Sequence, residues 1–310
     1  MSSWLVTGGA GFIGSHLCDA LVARGDRVCV LDDLSTGQRA NLPNGVTLLE
    51  GDVADAARVD EAMSGVDGCF HLAAVASVEK GVTDWIGTHR TNLTGTITVF
   101  DAIRRQGRRD VPVVYASSAA VYGDVTVLPI TEATPCRPLS AYGADKYGCE
   151  LHARVAGVGH GIPSMGLRFF NVYGPRQDAR SPYSGVISIF CERIRSGQPI
   201  AVFGDGQQTR DFVYVGDVVR ALLAAMQHSS DAAPVFNVCT GVPTSVETLA
   251  TLIAEVTGQR LTVHAKPPRI GEIKHSIGDP HPASNALALA GRTGLRDGLA
   301  RVVSWLADQH

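Results

Sequence analysis

The sequence has few charged residues, few aromatic residues and no long apolar run. Of its 310 residues, 18% are charged and 6% are aromatic, and the formal net charge is −3. Because like charges do not cluster, neither a nucleic acid nor an anionic membrane is an expected partner. No window approaches the roughly 20 consecutive apolar residues of a membrane-spanning helix. The N-terminus lacks the basic start and apolar stretch of a secretory signal, so we expect a cytoplasmic protein.

The cysteines show no pairing pattern. They are odd in number, widely scattered and never arranged as Cys-x-x-Cys, so neither a disulfide framework nor a cysteine metal site is indicated. We expect reduced, buried thiols and predict no metal site. The positions are Cys18, Cys29, Cys69, Cys136, Cys149, Cys191 and Cys239.

The order of apolar patterns predicts an α/β fold. Up to about residue 168, short apolar runs alternate with helical patterns, which is typical of β-α units around a parallel sheet. We predict strands at residues 3–7, 27–31, 46–50, 68–72, 111–116 and 164–169, and helices at 11–24, 54–63, 85–106 and 141–158. From residue 171 the pattern is irregular, with helices expected at 186–196, 216–226, 245–256 and 297–307 and a strand at 235–239.

These elements predict a doubly wound parallel-sheet Rossmann domain with a smaller, interleaved substrate-binding lobe. We place the Rossmann domain at residues 1–168 and the lobe at residues 169–310. Segments near 212–241 are expected to return to the Rossmann domain. The length suffices for one large domain or two modest ones.

A glycine-rich turn joins the first predicted strand to the first predicted helix. Gly8 allows a tight turn, Gly11 allows the backbone to approach a pyrophosphate, and Gly14 allows the helix to pack on the strand. Phe12 and Ile13 lie between the last two glycines. Because such glycine spacing recurs by chance, a turn without a ligand is the alternative.

An acidic residue in register favours a dinucleotide. Asp32 lies 18 residues after Gly14 at the end of the second predicted strand, where a carboxylate accepts hydrogen bonds from the adenosine ribose. With the neighbouring Asp33 it would repel a 2′-phosphate, so we predict NAD rather than NADP. Other residues at this edge of the sheet are expected to line the same site, although each could simply be a strand end: Asp52, Val53, Leu72, Ala73 and Ala74.

A serine, a tyrosine and a lysine could perform proton transfer. Tyr142 and Lys146 are four residues apart on a predicted helix, so the ammonium can lie near the phenol and lower its pKa. Tyr142 is then a candidate general base, and Ser118, 24 residues earlier, could hold a substrate hydroxyl. Tyr142 and Lys146 alone would more often be a surface pair.

Ten segments resemble the extended short-chain dehydrogenase/reductase family, and within it the nucleotide-sugar 4-epimerases. They span nearly the whole chain, and the later ones are typical of nucleotide-sugar enzymes. The segments are residues 7–17 (TGGAGFIGSHL), 31–37 (LDDLSTG), 51–53 (GDV), 71–74 (HLAA), 91–96 (TNLTGT), 115–123 (YASSAAVYG), 142–146 (YGADK), 168–177 (RFFNVYGPRQ), 204–218 (GDGQQTRDFVYVGDV) and 267–279 (PPRIGEIKHSIGD).

The resemblance implies roles for further residues. Asn92 would support the helix that carries Tyr142, although from the residues alone it is a helix cap or a core amide. Phe169 and Phe170 would lie beside the nicotinamide, although two phenylalanines at a strand end are more often core. The nucleotide-sugar contacts that the resemblance implies are Asn171, Val186, Phe203, Arg210, Arg269, Glu272 and Ser276, with Tyr183 in the uracil-side loop.

The residue at position 276 bears on the choice of sugar. In the 4-epimerases that the sequence resembles, a tyrosine here accompanies strict use of UDP-glucose and UDP-galactose, and a small residue accompanies tolerance of 2-acetamido sugars. Ser276 leaves that volume open. The alternative is an ordinary polar loop residue.

Two alanines bear on the choice of reaction. Sugar-nucleotide dehydratases carry an Asp-Glu pair directly after the active-site hydroxyl, since eliminating water needs an additional acid and base. Ala119 and Ala120 occupy those places here. Decarboxylases of UDP-glucuronate tend to carry a glutamate at the position of Ala120, so both reactions are disfavoured.

We therefore predict an NAD-dependent 4-epimerase, an isomerase that interconverts UDP-glucose and UDP-galactose, and also UDP-N-acetylglucosamine and UDP-N-acetylgalactosamine, through a 4-keto sugar. The alternatives are a UDP-glucuronate 4-epimerase or a keto-sugar reductase on the same scaffold, and, outside enzymes, an NAD-sensing regulator, which would be expected to lose Ser118 and Tyr142.

The two long predicted helices indicate an assembly. The apolar faces of residues 85–106 and 141–158, together with the resemblance, predict a homodimer through a four-helix bundle. The alternative is that these faces only cover the sheet.

Overall fold

A seven-stranded parallel sheet forms the centre of the computed structural model, which describes residues 1–178, 185–268 and 273–309. The strands are β1 (Ser3–Thr7), β2 (Arg27–Asp32), β3 (Thr47–Glu50), β4 (Gly68–His71), β5 (Val113–Ser118), β6 (Ser164–Phe169), β7 (Asn171–Tyr173), β8 (Ile200–Phe203), β9 (Thr209–Tyr214), β10 (Val235–Val238), β11 (Pro243–Ser245), β12 (Val263–Lys266) and β13 (His275–Ser276). The large sheet has the order β10-β6-β5-β4-β1-β2-β3.

Helices cover both faces of this sheet. The α-helices in the part of the chain that the structure describes are α1 (Phe12–Ala23), α2 (Ala56–Met63), α3 (Val78–Thr83), α4 (Trp85–His89), α5 (Gly95–Arg105), α6 (Ala141–His160), α7 (Val186–Arg195), α8 (Val215–His228), α9 (Val246–Thr257), α10 (His281–Ala286) and α11 (Leu295–Ala307). Successive residues of β1 enter different cores, because Val6 packs with α1 and α8 while Leu5 packs with α2, α5 and α6. The predicted doubly wound fold is confirmed.

The order of strands reverses at β1, which leaves a crevice between β1 and β4. From β1 the chain builds β2 and β3 on one side and β4, β5, β6 and β10 on the other. In open α/β sheets a ligand binds outside the carboxyl ends of the strands at this reversal. The fold therefore brings the ends of β1, β2, β4 and β5 to one edge.

Residues 85–105 are helical, as predicted, but the helix is not a regular α-helix throughout. The structure has α4, a π-helical turn at Arg90–Thr94, and then α5. The hydroxyl of Thr96 donates to the main-chain oxygen of Asn92 at 2.7 Å, and such a bond competes with the regular helical one. The wider turn carries the buried Asn92.

The second half of the chain is more regular than its sequence pattern indicated. Strands β7, β9, β11 and β13 form a second sheet, and β8 pairs with β12. Helices α7, α9 and α11 pack together beside them. Strand β10 lies in the large sheet against β6. The division of the chain at residue 168 stays a prediction.

A helix that crosses a membrane must be both long and apolar. None of the helices in the part of the chain that the structure describes has both the length and the apolar character to cross a membrane.

Candidate active site

The glycine turn after β1 approaches the segment after β4 closely. Gly8 has φ +69, and a Cβ there would lie 2.7 Å from the amide nitrogen of Ala73. A Cβ on Gly14 would lie 2.2 Å from the main-chain oxygen of Gly8. Both positions therefore require glycine.

The turn also leaves the start of α1 open. Gly11 is the N-cap of α1, and no side chain in residues 1–178, 185–268 or 273–309 caps this end. Phe12 and Ile13, the first two residues of the helix, are half-buried. The amides of this first helical turn lack intrahelical acceptors, which suits a pyrophosphate.

Asp32 is buried at the end of β2 and is attached to the glycine turn. Its carboxylate accepts hydrogen bonds from the amides of Ala10 and Leu34, each at 2.9 Å. Burial raises its pKa, and the two amides oppose that shift. The neighbouring Asp33 is exposed and accepts from Ser35. The Asp32 carboxylate thus lies beside the turn, where a ribose would be bound.

Arg90 pairs with Asp52 at the end of β3, a contact that the sequence did not suggest. Arg90 Nη1 lies 2.6 Å from Asp52 Oδ2, while Asp52 Oδ1 accepts from the amide of Ala54 at 2.8 Å. Val53 is buried next to Asp52, and a Cβ on Gly95 would lie 2.5 Å from its side chain. The π-helical turn therefore lies against this corner of the crevice.

A buried histidine connects β1, β4 and α5. His71 Nδ1 lies 2.8 Å from Thr7 Oγ1, and its Nε2 lies 2.9 Å from Thr96 Oγ1. Since Thr96 donates its hydrogen to Asn92, Nε2 carries the imidazole hydrogen and Nδ1 accepts from Thr7. Burial lowers the pKa of His71 to about 3, so the ring is neutral.

This histidine fixes the segment that follows β4. Thr7 Oγ1, held by His71, accepts from the amides of Leu72 and Ala73 at 3.2 Å each. Leu72, Ala73 and Ala74 are half-buried and follow β4, rather than ending it. The segment opposite Gly8 is therefore held by side chains from two strands.

Asn92 connects the same segment to the tyrosine helix. Its side-chain oxygen accepts from the amide of Val75 at 2.8 Å, and its side-chain nitrogen donates to the Val75 oxygen at 3.2 Å. Its main-chain oxygen accepts from the thiol of Cys149 on α6 at 3.4 Å. Asn92 is thus a core amide whose main chain contacts α6.

Ser118, Tyr142 and Lys146 meet at the end of β5. The Nζ of Lys146 donates to the main-chain oxygen of Ala116 at 2.8 Å and lies 5.9 Å from the centroid of the Tyr142 ring. Ser118, the last residue of β5, starts a short helical turn, and its hydroxyl accepts from the amide of Ala120 at 3.2 Å. Lys146 is almost fully buried.

The start of α6 packs against the turn that follows Ser118. A Cβ on Gly143 would lie 2.6 Å from the main-chain oxygen of Ala120. Ser140 caps the helix by accepting from the amide of Gly143 at 3.1 Å. Phe169, buried at the end of β6, pairs in register with Ser118. The geometry suits proton transfer at a hydroxyl held between serine and tyrosine.

The second sheet carries several of the expected substrate residues. Ser276 on β13 pairs in register with Arg210 on β9, and Asn171 on β7 pairs with Phe212 on β9. Arg210 Nη1 donates to the main-chain oxygen of Thr209 at 2.9 Å. These three strands place the side chains on one small sheet.

Other expected contacts are more scattered. Phe203 ends β8 and pairs with Lys266, while the half-buried Val186 begins α7. The predicted residues that lie outside the described ones are Tyr183, Arg269 and Glu272.

Asp211, beside Arg210, is a buried carboxylate that sequence reasoning missed. It accepts from the amide and hydroxyl of Thr240 at 2.7 and 2.6 Å, from the amide of Gly241 at 2.8 Å and from that of Gly278 at 3.3 Å. Burial raises its pKa, and these donors oppose the shift. An acidic residue directly before the apolar run of β9 was the available signal. Asp211 attaches the loops after β10 and β13 to β9.

Comparisons with known proteins agree with this geometry. The model of the NAD dependent epimerase/dehydratase family matches residues 4–239. A UDP-glucose 4-epimerase of Mycolicibacterium smegmatis is 36% identical over 311 residues, covering 98% of this chain and 98% of that protein.

Solved structures agree as well. The crystal structure of the UDP-glucose 4-epimerase of Thermotoga maritima with UDP-glucose has a TM-score of 0.94 and 36% identity, covering 99% of each chain. The structure of the UDP-N-acetylglucosamine 4-epimerase of Methanobrevibacter ruminantium with UDP-N-acetylmuramic acid has a TM-score of 0.94 and 33% identity, covering 100% of this chain and 99% of that chain. The chain belongs to the NAD-dependent epimerase/dehydratase family.

Proposed function

We propose that this chain is an NAD-dependent UDP-hexose 4-epimerase that acts on UDP-glucose and UDP-galactose and also on their 2-acetamido counterparts. The observation that carries the proposal is the meeting of Tyr142 and Lys146 with Ser118 at the end of β5. The similar proteins from M. smegmatis and T. maritima, both named UDP-glucose 4-epimerases, support it.

The glycine turn and the acidic residues fit a dinucleotide. Because Gly8 and Gly14 have no Cβ, the backbone amides of the turn stay accessible next to the crevice. Gly11, Phe12 and Ile13 would face the pyrophosphate, Asp32 and Asp33 the ribose, and Asp52 and Val53 the adenine side. Leu72, Ala73, Ala74 and Phe169 would lie along the nicotinamide half, with Asn92 supporting them. NAD, when bound, supplies an acceptor that takes hydride from the sugar and returns it.

Tyr142 would be the general base. Its phenol oxygen takes the proton of the sugar 4-hydroxyl as the C4–H bond breaks, and it returns that proton when the bond reforms. The bond of Lys146 to Ala116 keeps the ammonium near the tyrosine ring. Ser118 would hold the 4-oxygen for the tyrosine.

Inversion of the configuration at C4 requires that the diphosphate be held firmly and the sugar loosely. Arg210 offers a guanidinium, which matches the geometry of a phosphate oxygen pair, and Asn171 offers an amide from the neighbouring strand β7. Arg269, from the same expected set, would add a second guanidinium. The 4-keto sugar could then rotate about its diphosphate link and take hydride back on its other face.

The turn after Ser118 bears on the competing reactions. Ala119 and Ala120 form this turn, so it carries no acid or base beside the serine. Eliminating water from the sugar needs such a group, and this favours epimerisation over dehydration.

We also propose that two copies pair through helices α4, α5 and α6. Large apolar side chains are exposed there: Trp85 (68%), Ile86 (84%), Ile97 (37%), Leu151 (51%), Val155 (60%) and Val158 (80%). An exposed apolar patch on neighbouring helices marks a protein interface more often than free surface. The cytoplasmic location stays a prediction.

The function is tested by turnover with three UDP-sugars. Purified protein should convert UDP-galactose and UDP-N-acetylgalactosamine to their 4-epimers without added reductant. Conversion of UDP-galacturonate alone would favour the UDP-glucuronate epimerase, and a requirement for stoichiometric NADH would favour the reductase. Binding of NAD without any turnover would favour the regulator.

A further inference from the structure

We propose that Ser117 is a positioning residue whose hydrogen bond to the buried carboxylate of Glu150 fixes α6 along β5 and so holds Tyr142 opposite Ser118. The inference rests on the proposed function for the roles of Tyr142 and Ser118. It gives Ser117 no contact with substrate or cofactor.

Ser117 faces the tyrosine helix from the buried side of β5. Its side chain is 1% exposed, and its hydroxyl donates to Glu150 Oε1 at 2.5 Å. Val113 and Tyr115, four and two residues earlier, belong to the core beneath α6, so Ser117 continues the face that contacts α6. Ser118 is the next residue and the last of the strand.

Glu150 is held from a second strand by an arginine. Arg168 on β6 donates from Nε to Oε1 at 2.8 Å and from Nη2 to Oε2 at 2.7 Å. Arg168 lies directly opposite Ser117 in the register of β5 and β6. Its remaining terminal nitrogen, Nη1, donates to the hydroxyl of Tyr122 at 2.7 Å. Because all three guanidinium nitrogens make hydrogen bonds, Arg168 is held in place and fixes the orientation of the carboxylate.

A buried ion pair of this kind constrains geometry more than it adds stability. Glu150 and Arg168 are each 6% exposed, and removing two charges from water largely offsets their attraction. A fully hydrogen-bonded buried network is nevertheless rigid. The Arg168–Glu150 pair therefore joins β6 rigidly to α6. The hydrogen bond of Ser117 to Glu150 attaches β5 to the same pair.

The spacing on α6 carries this constraint to the tyrosine. Glu150, Lys146 and Tyr142 are separated by four residues each, so they lie along one face of the helix. Lys146 binds the oxygen of Ala116 and Glu150 binds the hydroxyl of Ser117. Two successive helical turns are thus attached to the two residues directly before Ser118.

A small slip of the helix would disrupt the site. One residue of helix rises about 1.5 Å, and a displacement of that size would break the hydrogen bonds of a substrate hydroxyl held between Ser118 and Tyr142. Lys146 has a flexible four-carbon stem that can follow such a slip. The short side chain of Ser117 cannot, so its bond is the one that sets the register.

Ser164 supplies a matched control. It is also a fully buried serine on a central strand, β6, but its hydroxyl has no hydrogen-bond partner in the part of the chain that the structure describes. Ser117→Ala and Ser164→Ala therefore remove the same atom from similar surroundings, and only the first removes a bond to α6.

The experiment compares both variants with the parent for kcat and KM with UDP-galactose, bound NAD and amide hydrogen exchange at residues 141–146. Ser117→Ala should lower kcat at least tenfold with KM and NAD content unchanged, and should speed exchange, while Ser164→Ala should match the parent. Equal behaviour of the two variants, or a parallel loss of NAD, KM and kcat in Ser117→Ala, would overturn the proposal. If the parent itself does not turn over, the proposed function fails, and the exchange comparison alone decides the positioning role.

Discussion

Lys146 is held beside Tyr142 by the strand that ends in Ser118: its Nζ donates to the oxygen of Ala116 at 2.8 Å while lying 5.9 Å from the tyrosine ring centroid. One strand therefore positions both the serine and the lysine that the proposal places beside the tyrosine.

Replacing Tyr142 by phenylalanine should remove proton transfer and little else. Tyr142→Phe is expected to keep the fold and the bound NAD while lowering kcat by about 10²–10⁴-fold, the range of general base catalysis. Ser118→Ala should have a smaller effect in the same direction. Steady-state turnover of UDP-galactose with quantified NAD measures both. Turnover of Tyr142→Phe near the parent rate would contradict the mechanism.

Replacing Asp32 should weaken cofactor retention. Asp32→Ala removes the ribose hydrogen bonds, so binding of NAD should weaken by about 1–3 kcal/mol, measured by calorimetry on cofactor-free protein. Asp110→Ala, which removes an exposed carboxylate paired with Arg108, is the control and should bind as the parent does. Tighter binding of NADPH than of NADH by the parent would refute this role of Asp32.

Replacing Ser276 should separate the two classes of sugar. Ser276→Tyr fills the volume that an acetamido group needs, and overpacking costs about 1–3 kcal/mol or excludes the ligand. Turnover of UDP-N-acetylgalactosamine should disappear while that of UDP-galactose persists. Paired progress curves with the two substrates measure the ratio. Equal loss of both activities, or no change in either, would show that Ser276 does not set the pocket size.

His71 should make the protein less stable on acidification. Burial lowers its pKa to about 3 from an ordinary value of 6.5, so below pH 6.5 the unfolded chain binds a proton that the native state refuses. The free energy of unfolding should therefore decrease as the pH is lowered from 6.5 towards 3, by up to about 1.4 kcal/mol per pH unit.

Urea unfolding at several pH values isolates this effect of His71. The His71→Gln variant should show a shallower fall than the parent, whatever its stability at neutral pH, and the exposed His152→Gln should keep the parent slope. An unchanged slope in His71→Gln would contradict the prediction.

The proposed dimer predicts that a charge introduced at two equally exposed valines has different effects on assembly. Val155 on α6 and Val242 in the loop after β10 are each 60% exposed. Val155→Glu should convert the dimer to a monomer at micromolar concentration, because a charge buried between copies is unpaired, whereas Val242→Glu should stay dimeric. Light scattering distinguishes the masses. A monomeric parent would exclude the assembly.

Sequence patterns predicted the large sheet well because its strands are buried on both faces. All residues of β6 are buried, and its bounds match the predicted ones, as do those of β1. Strands β7, β11 and β13 of the second sheet escaped notice because they have only two or three residues, which is too short for a periodic pattern. Their pairing depends on long-range contacts such as those of Asp211.

The site was predictable where a residue type has local meaning. Gly8 and Asp32 are identified by their spacing, Tyr142 and Lys146 by their helical spacing, and Ser118 by its place after the fifth predicted strand. The contacts of His71, Arg90 and Glu150 were not predictable, because each joins elements that are distant in the sequence. Of the cysteines, Cys29 and Cys136 are only half-buried, so the expectation of buried thiols holds for the other five.

The place of β10 limits how this protein can be divided. An N-terminal fragment that ended after β6 would leave the edge of β6 unpaired, since β10 covers it from Val235 to Val238. A bare parallel edge is a template for association with other chains. Such a fragment should aggregate rather than bind the dinucleotide alone, and any workable truncation must cut beyond residue 239, where the family match also ends. The large sheet is thus completed by a strand that is made only after β7 and β9 of the second sheet, so its completion depends on synthesis of that later part of the chain.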